Sequence, residues 1–184
     1  MKLKNFYHSI LRRFAKLSEK TIHVEAFVRE DLWDIVKNLI GKKYVWFVIT
    51  PANYDYCRVF FNLKMSKNEF TEILKERIEY LRKNGEDIQL HLHICNVKEF
   101  FDKELQDNLF KEAIDFMTSN KINPTKLAPG WYKYDDYTIS LAKKYNIKYL
   151  YDYSKNPRQK SIIKDGVTIK FLHKFWHDYD FIKK

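Results

Sequence analysis

With 184 residues, 45% of them hydrophobic and 17% aromatic, the chain is expected to fold as one domain over residues 1–184, and its composition excludes a disordered polymer. The net charge of +10, from 34 Lys and Arg against 24 Asp and Glu, admits an anionic partner such as nucleic acid, a glycan or a membrane surface. That charge is spread along the chain without a dense basic block, so nucleic acid is possible but not favoured, and Lys- and Glu-rich surfaces also occur in heat-adapted proteins. Cys57 and Cys95 make neither a disulfide scaffold nor a C-x-x-C pattern. No run of 18 apolar residues and no apolar leader is present, so the expectation is a cytoplasmic protein without a transmembrane segment.

Residues 3–17 read as an amphipathic helix, with Leu3, Phe6, Tyr7, Ile10, Leu11, Phe14 and Leu17 on one face. The segment 1–18 is expected to pack on the domain that follows. Residues 20–28 alternate as a strand: Ile22, Val24, Ala26 and Val28 on one face, Thr21, His23, Glu25 and Phe27 on the other. Residues 31–40 look helical and stop at Gly41, and 43–50 form an almost continuous apolar run, the mark of a strand buried on both faces. Pro51–Lys64 reads as a long aromatic loop. Ser66 with Glu69 three residues on is a capping box for a helix that ends at Asn84-Gly85.

The stretch Asp87–Asn96 then alternates strictly. Ile88, Leu90, Leu92 and Ile94 fall on one face and Gln89, His91, His93 and Cys95 on the other, so two imidazoles point the same way, close enough to share a metal ion or a proton network. A helix over 98–118, a short strand at 125–128, a Pro129-Gly130-Trp131 turn and a helix capped by Asp135 or Asp136 follow. Ile147–Tyr153 returns as a strand, and Asp165-Gly166 between 162–164 and 167–169 predicts a C-terminal β-hairpin. Strands alternating with helices imply βαβ units and parallel pairing. No dinucleotide fingerprint, P-loop or nucleophile elbow appears.

This order of segments resembles the NodB-type polysaccharide deacetylases. F-T-E-I-L-K-E-R-I-E-Y-L-R-K-N-G-E-D-I-Q-L-H (70–91) is similar to that family's helix, turn and His-ended strand; L-A-P-G-W (127–131) with I-K-Y-L-Y-D-Y-S (147–154) is similar to its Arg-x-Pro motif and the strand after it; F-L-H (171–173) is similar to its final Leu-His. The resemblance implies an α/β fold, a distorted (β/α) barrel of mostly parallel strands, and a metal-dependent hydrolase that removes an acetyl group, as amide or ester, from a carbohydrate-like substrate. The chain departs from the family in three places. The first strand reads I-H-V-E where the family has adjacent aspartates; the second histidine, four beyond His91, falls on Cys95, with His93 extra; Leu127 stands in place of the arginine.

Imidazole with carboxylate suits Zn²⁺, Fe²⁺, Co²⁺ or Ni²⁺, zinc foremost. His91 and His93 are the expected metal ligands together with Glu25 or His23, and whichever of that pair does not bind the ion is the candidate general base. The resemblance makes His173 the general acid, with His177 a weaker candidate. Trp131, Tyr132 and Trp46 are the expected substrate-stacking aromatics. Two other readings stay open: a barrel without catalysis that binds a carbohydrate or other ligand, and a basic nucleic-acid-binding domain.

Overall fold

A computed structural model describes residues 19–95, 101–154, 156 and 159–172, together with the backbone of 176–177. The amphipathic segment 1–18 and His173 lie outside the described residues, as does the start of the helix expected from 98. The first strand, β1 (Thr21–Val24), is followed by α1 (Glu30–Val36), β2 (Val45–Val48), α2 (Tyr54–Phe60), α3 (Lys67–Lys83) and β3 (Asp87–Leu92). Then come α4 (Lys103–Ser119), β4 (Lys126–Pro129), α5 (Asp136–Lys144), β5 (Tyr149–Tyr153), β6 (Ile162–Lys164), β7 (Val167–Leu172) and β8 (Trp176–His177).

The strands form one sheet in the order β6-β7-β5-β4-β3-β2-β1-β8. Every pairing is parallel except β6 with β7, where Asp165 and Gly166, both at positive φ, make the two-residue turn of the expected hairpin. The distorted (β/α) barrel-type arrangement is borne out, although the ladder does not close into a ring. Its curl can be measured. On a flat sheet Phe47 of β2 and Tyr151 of β5, three strands apart, would stand about 14 Å from each other. Their ring centroids are 4.9 Å apart.

Curling creates two cores. Outside, Ile22, Val24, Trp46, Val48, Ile88, Leu90, Leu92 and Ile94 meet the helices, including the α3 stripe Phe70, Leu74, Ile78 and Leu81. Inside, Val45, Phe47, Ala128, Tyr151 and Leu172 form a second core. Below them Lys126 pairs with Glu19 and Asp87, at 2.6 and 2.7 Å, and the Tyr151 hydroxyl donates to Glu19. Burial and that hydrogen bond push the Tyr151 phenol well above its usual range, so it stays protonated.

The helix starts follow their caps: the Ser66 hydroxyl accepts from the Glu69 N–H, Asp102 from Leu105, and Asp135 from Thr138 in a reciprocal capping box. Three sequence expectations need correction. The strand over 20–28 ends at Val24, because a turn closed by Arg29 N–H on the Ala26 carbonyl (2.9 Å) breaks the alternation; Phe27 thereby packs outside, against Trp33. Pro51–Lys64 is no loop throughout: Pro51 opens a 3-10 turn that leads into α2, since proline in a first turn loses no hydrogen bond. The helix expected to 118 runs to Ser119.

Candidate metal centre

Strand geometry assembles the centre. In a parallel barrel the carboxyl ends of the strands form one rim, and alternation decides which side chains face it. On β3 the inward row rises from Gln89 to His91 and, just past the strand, His93. Gln89 is structural: its amide oxygen accepts from the N–H groups of Thr125 and Lys126, both at 2.9 Å, and so pins β4 beside β3. On β1 the same parity points His23 inward and carries Glu25, the first residue after the strand, to the rim. Arg77 on α3 secures the loop beyond Glu25 by donating to the carbonyls of Phe27 and Arg29 and pairing with Glu30.

Glu25, His91 and His93 converge, with 3%, 1% and 4% of their surfaces exposed. His91 Nε2 lies 3.2 Å from Glu25 Oε1, His93 Nε2 lies 3.5 Å from Glu25 Oε2, and the two Nε2 atoms are 3.2 Å apart. His91 Nδ1 sits 2.8 Å from the Ala128 carbonyl. A carbonyl only accepts, so Nδ1 carries the hydrogen and the Nε2 lone pair of neutral His91 is aimed into the cluster. This backbone-anchored imidazole is the usual outer support of a metal-ligating histidine. His23, also buried, stands beside the cluster with its ring 5.0 Å from that of His91 and 5.7 Å from that of Tyr132.

The chain after β4 roofs the centre. Trp131 and Tyr132 both take left-handed φ angles, 52° and 56°, conformations that cost side-chain-bearing residues energy and concentrate at functional sites. They bring the Trp131 ring edge-on to His93, at 4.8 Å, while leaving Trp131 39% exposed. Gly130 is required there by space: a Cβ on it would stand 2.2 Å from His93 Nδ1.

One sequence-derived site residue is not gathered here, and another falls outside the described residues. Trp46 is fully buried on the outer face of β2 near the strand's start, where its indole N–H donates to Glu86 at 2.7 Å. His173 lies outside the described residues. Cys95 is buried, but the cluster of potential ligands is Glu25, His91 and His93. Sequence reasoning missed Asn53 and Tyr56. The Asn53 amide donates to the His93 carbonyl (2.8 Å) and accepts from the His93 N–H (3.0 Å), clamping its backbone. Tyr56 donates to Glu25 Oε2 at 3.1 Å. The helix-start signal of Pro51 and the three-residue spacing of Asn53 and Tyr56, which puts them on one face, were the available clues.

No helix among the described residues is long and apolar enough to cross a membrane. No family model matches the chain, and no curated protein does. Among solved structures the chain is similar to a Mycobacterium smegmatis protein provisionally described as a polysaccharide deacetylase, with a TM-score of 0.53 and 10% identity over 84% of this chain. The matched part is 57% of that protein, so this chain spans a little over half its length. At that identity the likeness is one of fold, a distant NodB-like α/β architecture.

Proposed function

We propose that the protein is a metal-dependent hydrolase that removes an acetyl group from a carbohydrate-like substrate, with Glu25, His91 and His93 holding a divalent ion, zinc foremost. The observation that carries the reading is the spacing of the donor atoms. Ligands at zinc's usual 2.0–2.1 Å in a tetrahedral shell lie about 3.3–3.4 Å from one another. His91 Nε2 lies 3.2 Å from both Glu25 Oε1 and His93 Nε2, and one donor atom from each of the three residues lies within 4.8 Å of the others. The fold of the M. smegmatis neighbour supports the substrate class, and a centre under exposed Trp131 suits a ring-shaped substrate.

A divalent ion supplies Lewis-acid polarisation of an acetyl carbonyl and acidifies water to a pKa of about 7. The chain's own residues do the rest. Glu25 approaches both imidazoles and completes the possible ligand group, so it is the third ligand, and His23, its ring 5.0 Å from that of His91, is left as the general base. Ala128 keeps the His91 tautomer, Asn53 keeps His93 in place, and Trp131 with Tyr132 limits water and offers faces for a sugar ring. The proton for the leaving group falls to His173 by resemblance alone.

Two measurements test this. Protein purified without a histidine tag should carry close to one equivalent of zinc or a similar ion, and it should release acetate from N- or O-acetylated saccharides in a chelator-sensitive manner. His91→Ala should abolish both. Stoichiometric metal without acetate release from any acetylated saccharide would leave a ligand-binding barrel; absence of metal in the native protein and after Zn²⁺ titration would end the reading.

A further inference from the structure

We infer that Tyr56 is the positioning residue of this centre: its hydroxyl reserves one oxygen of Glu25 for the ion and its ring sets the plane of His93. The inference rests on the metal reading above and adds a residue outside the strands that form the site.

A buried carboxylate offers two equivalent oxygens, and an ion can take either or both. Here they are differentiated. Oε2 accepts from the Tyr56 hydroxyl at 3.1 Å and stands 3.5 Å from His93 Nε2, while Oε1 faces His91 Nε2 at 3.2 Å. With Oε2 engaged, Glu25 presents Oε1 as its ligand atom. The same tyrosine stacks on His93, with centroids 3.7 Å apart and planes 23° from parallel, and the Trp131 edge bounds both rings at 5.4 and 4.8 Å. The contacts of Tyr56 at this site are its hydroxyl on Glu25 Oε2 and its ring on His93, so it would act through those two residues.

Its location argues for purpose rather than incidental packing. Tyr56 is half-buried, and its hydroxyl is directed at a carboxylate with 3% exposure. The neighbouring Cys57 thiol approaches the Glu25 carbonyl at 3.6 Å, and Asn53, one turn earlier, clamps the His93 backbone. One short helical segment therefore holds two prospective ligands from β1 and β3, strands that are not neighbours in the sheet. Outer partners of this kind characteristically change metal affinity 10–100-fold when removed.

The test compares wild type, Tyr56→Phe and Tyr54→Phe by Zn²⁺ competition against a chromophoric chelator and by the visible spectrum of the Co²⁺-loaded proteins. Tyr54 is the control, because it loses a hydroxyl on the same helix whose partner is the Met65 carbonyl (2.7 Å), away from the centre. Tyr56→Phe keeps the stacked ring and should bind Zn²⁺ 10–100-fold more weakly, with an altered Co²⁺ band pattern as Glu25 turns. Tyr54→Phe should match wild type in both. If wild type binds Zn²⁺ and Tyr56→Phe binds it equally well with an unchanged Co²⁺ spectrum, the role of Tyr56 is refuted while the metal centre stands. Equal weakening in both variants would refute it too, by showing general loosening of the helix. If wild type binds neither ion, the metal reading fails and this inference with it.

Discussion

Replacing Gly130 with alanine tests the centre with the smallest possible perturbation. The added methyl would lie 2.2, 2.3 and 2.6 Å from Nδ1, Cγ and Cε1 of His93, whereas ordinary contact begins at 3.4 Å. The ring must therefore recede by more than an ångström or the Gly130 backbone must move. Neither is easy. Asn53 pins the His93 backbone by two hydrogen bonds, and Tyr56 lies stacked on the ring. Overpacking of this kind costs about 1–3 kcal/mol. For a chain of this size that is a fall of roughly 2–12 °C in Tm. Displacing one ligand by about 1 Å should cost on the order of 100-fold in any function that needs the geometry. Differential scanning calorimetry of the metal-stripped protein reads the first effect, and Zn²⁺ competition followed by acetate release reads the second. A Gly130→Ala protein that melts with wild type and binds Zn²⁺ equally would show that the turn yields freely, and the close packing of His93 would then explain nothing.

Three further outcomes are expected. Asn53→Ala strands the buried N–H and carbonyl of His93 and should lose about 2–4 kcal/mol in denaturant melts; a loss under half a kilocalorie would mean water replaces the amide without penalty. Trp46→Phe removes a hydrogen bond to the Glu86 carboxylate and should cost about 1.5–3 kcal/mol, leaving Zn²⁺ affinity and saccharide KM unchanged; a raised KM would return Trp46 to the substrate site. For pH, burial opposes ionisation of Glu19, but hydrogen bonds from Lys126 and Tyr151 outweigh it and hold the carboxyl below its ordinary 4.5. Folded Glu19 thus binds a proton less readily than unfolded Glu19, so its stabilising contribution is complete above pH 4.5 and is lost as pH falls toward the folded value. Glu19→Gln should flatten that part of the Tm–pH curve, and an unchanged slope would assign the acid sensitivity to other carboxylates.

The strand faces were legible because alternation has a period of two and a one-residue error would place charges under helices. That argument put His91 of β3, His93 just past it and His23 of β1 on the inward faces. It failed where alternation is absent. In V-W-F-V both faces are apolar, so nothing in the residues says whether Trp46 or Phe47 turns inward. Register decides it: His23 pairs with Phe47 across the ladder, which turns Phe47 to the interior and Trp46 to the helices. Phe27 was misplaced for a related reason, since parity carries no information beyond the turn that ends β1. Asn53 and Tyr56 were hidden differently. Their residue types are ordinary for a loop, and their partners, Glu25 and His93, become neighbours only through folding.

The cluster's hydrogen-bond bookkeeping bears on what occupies it. Ala128 takes the Nδ1 proton of His91, which leaves Nε2 facing both Glu25 Oε1 and His93 Nε2 at 3.2 Å. A proton on His93 Nε2 can be shared with His91 or with Glu25 Oε2, but the approach of Glu25 Oε1 to His91 then sets one lone pair against another. A second proton on His91 relieves that contact and makes it an imidazolium, which leaves its approach to His93 as two donors face to face. Protonating Glu25 on Oε1 instead lets it donate to His91 Nε2 while Oε2 still accepts from Tyr56, at the cost of the buried carboxylate's charge. Buried polar groups in such conflict are expensive. A divalent ion would draw lone pairs of all three residues to one point with the Tyr56 and Ala128 hydrogen bonds kept and Glu25 still charged, which is what the metal reading proposes for this rim.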